Sequence, residues 1–413
     1  MTEYEVVVVG GGPAGSTAAA LLAEQGHRVL LLEREPFPRY HIGESLIPYT
    51  WFTLDRLGVV DWLRRSASPK KYSVQFVSIT GRVSQPFYFF QTIKHECAVT
   101  WQVWRSEFDA MLLDNARAKG AEVRQGVAVR EVLTSGSRVE GVLAETAGGG
   151  REEIRARAVV DATGRDALLS RRLGWLDRDP HLNKVAVWSY FKGARRDPGL
   201  DEGATTVAYV PEKGWFWYIP LHSDVVSVGV VGEPSYLYRD TRDPARIFER
   251  EVAACAWIRD HVEPGEQVEP VRVTGEYSYR SRRIGGEGFC LAGDAFAFLD
   301  PLFSTGVFLA LKGGEMAADA LHAALEADDV SAGRFEEYHE RQRHAVASFR
   351  RLVLAFYNLT FSFREFLKAY PHLHPLVVDT LVGNVFTDLR PLFAALEEFE
   401  ARPRRELIGE ATA

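Results

Sequence analysis

A run of β-branched residues at 6–9 breaks into Gly10-Gly11-Gly12-Pro13-Ala14-Gly15, and this junction constrains the fold more than any other stretch. A short continuous apolar run is the pattern of a strand buried on both faces of a parallel sheet. Residues 13–25 follow with an Ala/Leu stripe, Gly26-His27 ends that segment, and 28–32 is a second apolar run closing at Glu33. The spacing predicts one strand–helix–strand unit. Gly10, Gly12 and Gly15 form G-x-G-x-x-G at the mouth of the helix. Gly10 permits the tight turn, Gly12 lets a pyrophosphate approach the backbone, and Gly15 lets helix and strand pack closely. The helix N-terminus, which includes Pro13, Ala14 and Ser16, offers free N–H groups and a positive dipole end to phosphates. Glu33 lies about twenty residues on, placed to accept hydrogen bonds from ribose hydroxyls and to disfavour a 2′-phosphate. The motif predicts a bound dinucleotide and leaves open whether it is NAD or FAD.

Two later segments repeat this style. Residues 158–160 lead into Asp161-Ala162-Thr163-Gly164, and the short apolar run 289–292 leads into Gly293-Asp294, where a Rossmann-type flavoprotein holds the ribityl chain. Arg105 opens an amphipathic helix and is a candidate flavin or phosphate contact. Between these segments, residues 185–231 alternate in the manner of an antiparallel sheet, and from about Phe335 the chain reads as helical to its end. Neither a repeat nor a linker divides the chain, so the two halves are expected to interleave.

Composition narrows the partners. The net charge is -7 with no long basic run, which argues against nucleic acid and anionic membranes. No uncharged apolar run reaches about 18 residues, so no membrane span is expected. The N-terminus carries Glu3 and Glu5 in place of a basic leader, and a cytoplasmic location is expected. Cys97, Cys255 and Cys290 are far apart and odd in number, so neither a disulfide framework nor a metal site is predicted. Nothing in the sequence specifies the oligomeric state.

The segment Trp215-Phe216-Trp217-Tyr218-Ile219-Pro220 matches W-x-W-x-I-P, and it stands in one chain with G-G-G-P-A-G-S at 10–16, H-I-G-E-S-L at 41–46, P-K-K-Y at 69–72, D-A-T-G-R at 161–165 and G-D-A-F-A-F-L-D-P-L-F-S-T-G at 293–306. In this order the motifs resemble those of the flavin-dependent halogenases, which share the fold of the single-component aromatic hydroxylases. The resemblance implies a mixed α/β fold: a Rossmann-type FAD-binding domain over 1–70, 98–175 and 270–330, an antiparallel substrate-side sheet over 71–97 and 176–269, and a C-terminal helical region over 331–413. It implies that FAD, as FADH2, and oxygen convert chloride or bromide into hypohalous acid, which travels through a tunnel to a lysine beside an electron-rich aromatic. By resemblance that lysine is Lys71, although spacing alone reads Lys70 and Lys71 as solvated loop lysines. An ammonium can hydrogen-bond hypohalous acid and a neutral amine can form a haloamine, and burial readily shifts a lysine pKa.

The resemblance also assigns Ser45 to the cofactor site and makes Trp215, Trp217, Ile219 and Pro220 tunnel walls. Strand periodicity puts Trp215 and Trp217 on one face, where core packing and tunnel lining are both open readings. Ser304, Thr305 and Gly306 precede a helix whose amides can cradle a halide, or whose start is an ordinary N-cap. The tryptophan halogenases carry Glu where this chain has Phe303, a substrate-pocket position, so the resemblance points to a phenol or pyrrole, free or tethered to a carrier protein. A separate flavin reductase is the implied partner. The alternatives on this fold are an aromatic hydroxylase and a prenyl-chain reductase; a non-catalytic flavin-binding protein is the alternative of another class.

Overall fold

The computed structural model describes residues 4–275 and 278–402. The run at 6–9 lies in strand Tyr4–Val9, at the centre of a mostly parallel sheet. Its neighbours are Val29–Glu33 on one side and Arg151–Asp161 on the other, both parallel; Glu122–Gln125 and Phe289–Leu291 continue the sheet outward. Valines 6, 7 and 8 are fully buried, as the central strand of a parallel sheet requires; helix Pro13–Glu24 packs on the sheet, and antiparallel strands Val127–Ser135 and Arg138–Thr146 share its core. Gly10 turns out of the strand with φ 106°, and a side chain there would collide with the carbonyl of Ala162, just past the end of the neighbouring strand. The chain then enters helix Pro13–Glu24, against which the long helix Thr305–Glu326 packs.

The second sheet runs Glu266–Gln267, Val185–Lys192, Val225–Gly232, Trp215–Leu221, Thr205–Tyr209, Ser73–Val77, Phe87–Tyr88, with Arg272–Gly275 beside Val185–Lys192. It departs from a purely antiparallel sheet at one point: Thr205–Tyr209 and Ser73–Val77 pair in parallel. Lys71 stands outside this sheet. Lys70–Lys71 pairs with Thr100–Trp101, and Ser45 bridges Gln102, so three extended segments meet there. The sheet has two apolar faces. Phe216 and Tyr218 pack under helices Pro244–Ala254 and Ala256–Val262, while Trp215, Trp217 and Ile219 face the first domain. Helices Glu336–Tyr357, Phe363–Ala369, His374–Val382 and Arg390–Glu400 complete the fold, the last three sharing an aromatic cluster of Phe361, Phe366 and Phe399 with the first. The expectation of helix to the chain's end lies, for 403–413, outside the described residues.

Candidate active site

Between the two sheets lies a cavity of about 980 Å3, at the top of the range of about 300–1,000 Å3 for small-molecule sites. Gly10, Gly12, Pro13 and Ala14 form one end. Glu33 lines the same end, with Oε2 accepting from Gly11 N at 2.6 Å and Oε1 from Glu35 N at 2.9 Å. Both oxygens keep lone pairs for ribose hydroxyls. Arg39 reaches over this end: its guanidinium lies near Gly12, and Nη1 pairs ionically with Asp109 at 3.3 Å yet makes no hydrogen bond to any described residue. A buried guanidinium nitrogen without a hydrogen-bond acceptor, beside a glycine cradle and a helix N-terminus, suits a pyrophosphate.

Arg105 and Asp294 line the middle. Arg105 is buried, locked by a two-point ion pair to Asp109 (2.8 and 3.0 Å) and by donation to Ile42 O at 2.9 Å. Burial pushes the Asp294 carboxyl up to about 6, against the pull of Arg105 and Arg165. His41, also on the wall, is lowered to about 4 by burial and by Arg105, and so is neutral. Glu44 is fully enclosed there and accepts from Tyr190 Oη at 2.6 Å; burial raises its pKa. The donors and acceptors along this length fit FAD.

The far wall carries Trp188, Trp215, Trp217 and Ile219. Trp217 lies 6.2 Å from Trp215 and 6.3 Å from Trp188 between ring centres. It can lie flat because its cross-strand partner is Gly229, where a side chain would strike the indole. Trp215 Nε1 donates to Tyr357 Oη at 2.8 Å, and Tyr357 donates to Asp300 Oδ2 at 3.0 Å. Asp300 is pushed up to about 6 by burial and accepts from Leu302 N, shaping the turn that follows. In that turn Ser304 is left-handed (φ 56°), and among the described residues no side chain caps the helix that begins at Thr305. Ser304, Thr305 and Gly306 all line the cavity, and the space above Gly306 is open to 4 Å. An uncapped helix start facing a cavity can take an anion on its N–H groups.

Lys71 is 1% exposed and lies just behind the cavity wall. Nζ donates to Ser45 Oγ at 2.8 Å and to Leu46 O at 3.1 Å, with the Phe89 ring centre at 5.7 Å. Burial alone pushes its pKa down to about 7. Lys70 is exposed, as alternation on an extended segment requires. Ser45 Oγ hydrogen-bonds Thr205 Oγ1 at 2.9 Å, and both residues line the cavity, so this hydroxyl pair separates Lys71 from the cofactor space.

Five expected site residues have a different place. Asp161 does not line the cavity: Oδ1 accepts from Thr163 N and Oγ1, and Oδ2 from Leu169 N, so it holds the turn that brings Thr163, Gly164 and Arg165 to the wall. Gly293 packs against Ala14, and Ser16 donates to Gly11 O, both behind the wall. Pro220 alternates to the opposite face from Trp215, Trp217 and Ile219 and lines nothing. Phe303 turns away from the cavity onto Phe356, with ring centres 6.3 Å apart. Gly15 packs against the Gly10 carbonyl, as its motif requires.

Sequence reasoning passed over Arg39, His41, Glu44, Trp188, Tyr190 and Thr205. His41 and Glu44 sit inside a quoted motif and were legible as candidates. The other four come from strands and loops with no local signature. A grouping of His27, His322 and Glu326 lies within metal-ligand reach, but His27 Nε2 and His322 Nδ1 already share a hydrogen bond at 2.9 Å, and none of the three lines the cavity.

Comparison with known proteins gives concordant matches. A model of the FAD-binding-domain family matches residues 3–351. The chain is 32% identical over 442 residues to a 1H-pyrrole-2-carbonyl-(peptidyl-carrier protein) chlorinase of Pseudomonas fluorescens, covering 99% of this chain and 97% of that one. It is 34% identical over 362 residues to a tryptophan 2-halogenase of Chondromyces crocatus, covering 86% and 68% respectively. Among solved structures, a flavin-dependent brominase superposes with a TM-score of 0.88 at 29% identity, covering 97% of this chain and 99% of that one. The myxobacterial chondrochloren halogenase superposes with a TM-score of 0.81 at 29% identity, covering 97% and 96%.

Proposed function

The chain belongs to the flavin-dependent halogenases, FAD enzymes that oxidise halide with reduced flavin and oxygen, and from that premise we propose that Lys71 delivers the oxidised halogen to a phenol or pyrrole. Bound reduced FAD supplies, with oxygen, the two-electron oxidation of halide to hypohalous acid. The protein's own residues do the rest. The amides of Thr305 and Gly306 hold the halide at the helix start beside the cofactor space, while the Ser304 N–H is taken by Pro301 O at 3.0 Å and shapes the turn. Trp215, Trp217 and Trp188 exclude water and keep the aromatic away from the flavin. Lys71 receives the hypohalous acid through the Ser45–Thr205 hydroxyl pair. A pKa near 7 gives it comparable populations of ammonium, which hydrogen-bonds the acid, and amine, which can take the halogen. The observation that carries this reading is Lys71 itself: a buried lysine with no carboxylate partner among the described residues, one hydroxyl away from the flavin cavity.

Arg272–Gly275 joins the substrate-side sheet beyond 269, while Lys71 and Leu176–Arg178 pair outside it. With its boundaries moved in this way, the division into a cofactor half and a substrate half belongs to the same proposal. So do a cytoplasmic location and a separate reductase supplying FADH2; no helix among the described residues is long and apolar enough to cross a membrane. Two features support a pyrrole or phenol over free tryptophan: Lys71 has no carboxylate partner among the described residues, and the chain matches the pyrrolyl-carrier chlorinase end to end. The test is mass spectrometry of phenols, pyrroles and tryptophan, free and carrier-bound, incubated with protein, FADH2, oxygen and each halide. Halogenated pyrrole or phenol is expected, and tryptophan as the sole substrate would refute the assignment. NADPH added to the isolated protein should reduce its flavin slowly; fast reduction accelerated by an aromatic would favour the hydroxylase reading.

A further inference from the structure

Lys71 is held by a chain of side chains that extends beyond Ser45. Gln102 is fully buried and donates from Nε2 to Thr205 Oγ1 at 2.9 Å and to Gly203 O at 2.9 Å. Thr205 Oγ1 lies 2.9 Å from Ser45 Oγ, and Ser45 Oγ accepts from Lys71 Nζ at 2.8 Å. The backbone reinforces the chain. Ser45 bridges Gln102, Lys71 pairs with Thr100 on the same ribbon, and Thr205 opens the strand that lies beside Trp215–Leu221 within the tryptophan-bearing sheet. Thus the chain connects the strand of the tunnel wall to the lysine.

We propose that Thr205, set by Gln102, is a positioning residue for halogen transfer: it holds the Ser45 hydroxyl so that its lone pair faces Lys71 and its proton faces away. The inference rests on the proposed role of Lys71. Once Ser45 has accepted from the ammonium, its own O–H is directed to Thr205 Oγ1, which Gln102 keeps oriented by donating to it. Without the Thr205 hydroxyl, the Ser45 proton loses its acceptor and turns toward Nζ. It then stabilises the amine over the ammonium, and the lysine loses the partner that aims it.

Thr205→Val removes the hydroxyl at constant shape, and Thr205→Ser restores it. Thr205→Val should cut halogenated product per oxygen consumed about tenfold, the loss of roughly one hydrogen bond, and release the missing halogen as hypohalous acid. FAD affinity, oxygen consumption and melting temperature should stay near wild type. Competitive labelling of Lys71 with acetic anhydride across pH, on protein without flavin, should show its midpoint moved down. Thr205→Ser should recover most of the coupling and the midpoint. Gln102→Met should shift both readouts in the same direction by less. Wild-type coupling in Thr205→Val, or a Thr205→Ser as impaired as Thr205→Val, overturns the proposal. So does loss of FAD binding in Thr205→Val, which would make its hydroxyl a direct cofactor contact in place of a support for Ser45. If Lys71→Ala still halogenates, the lysine reading itself has failed, whatever Thr205 does.

Discussion

Lys71→Met should stabilise this protein while destroying its activity. The side chain is enclosed, with no charged group beside it among the described residues, and burial lowers its pKa from 10.5 to about 7. At 1.36 kcal/mol per pH unit, the folded protein bears a penalty of about 5 kcal/mol for holding the ammonium. The unfolded chain keeps the ordinary lysine value, so between pH 7 and 10.5 the unfolded state binds the extra proton and stability rises with pH. Below pH 7 both states are protonated and the penalty is fully present. Methionine has similar length and no charge, so replacing Lys71 should gain a large part of that penalty at pH 6, about 2–4 kcal/mol once the lost hydrogen bonds to Ser45 and Leu46 are counted. The advantage should shrink steadily toward pH 10. The assay is urea denaturation of flavin-free wild type and variant at pH 6, 7, 8 and 9, read as the difference in midpoint. A variant no more stable than wild type at pH 6, or a gap independent of pH, would refute a buried, charge-penalised lysine.

Two further substitutions probe the cavity walls. Glu33→Ala strips the acceptor for Gly11 N and Glu35 N and for the ribose; FAD affinity, followed by fluorescence titration of apoprotein, should fall about 10- to 100-fold, the worth of one or two hydrogen bonds to a charged group. An unchanged affinity would remove Glu33 from the cofactor site. Gly229→Ala places a methyl against the Trp217 indole, so it should cost about 1–3 kcal/mol, shift tryptophan emission and raise hypohalous acid leakage without weakening FAD binding. A variant that couples as tightly as wild type would show that Trp217 does not seal the tunnel.

Much of this architecture is written in local sequence, and the exceptions share one physical cause. The turn at Gly10, the helix from Pro13 and the acidic strand end at Glu33 are set by backbone sterics and short-range periodicity, which is why they are legible from a single chain. Lys71 was distinguishable from Lys70 only through the resemblance, because its burial depends on pairing with Thr100 and on cover from Phe89. Asp161 stands in a motif of cofactor-binding type, yet its carboxylate is consumed by three donors of its own turn. Pro220 belongs to the tryptophan motif but falls on the odd side of a period-two strand. Arg39, Tyr190 and Thr205 owe their roles to contacts across more than sixty residues, which no local pattern encodes.

The most direct test of the central claim is product formation by Lys71→Ala under single-turnover conditions with FADH2, oxygen, halide and an aromatic substrate, beside Lys70→Ala. The buried lysine acts after the flavin half-reaction, so the account predicts that Lys71→Ala binds FAD, consumes oxygen at a near wild-type rate and releases hypohalous acid or peroxide, with no halogenated aromatic detected. Lys70→Ala, whose side chain is exposed, should retain product formation within about twofold, as for an ordinary surface change. Halogenated product from Lys71→Ala at the wild-type yield, or a dead Lys70→Ala beside an active Lys71→Ala, would contradict it.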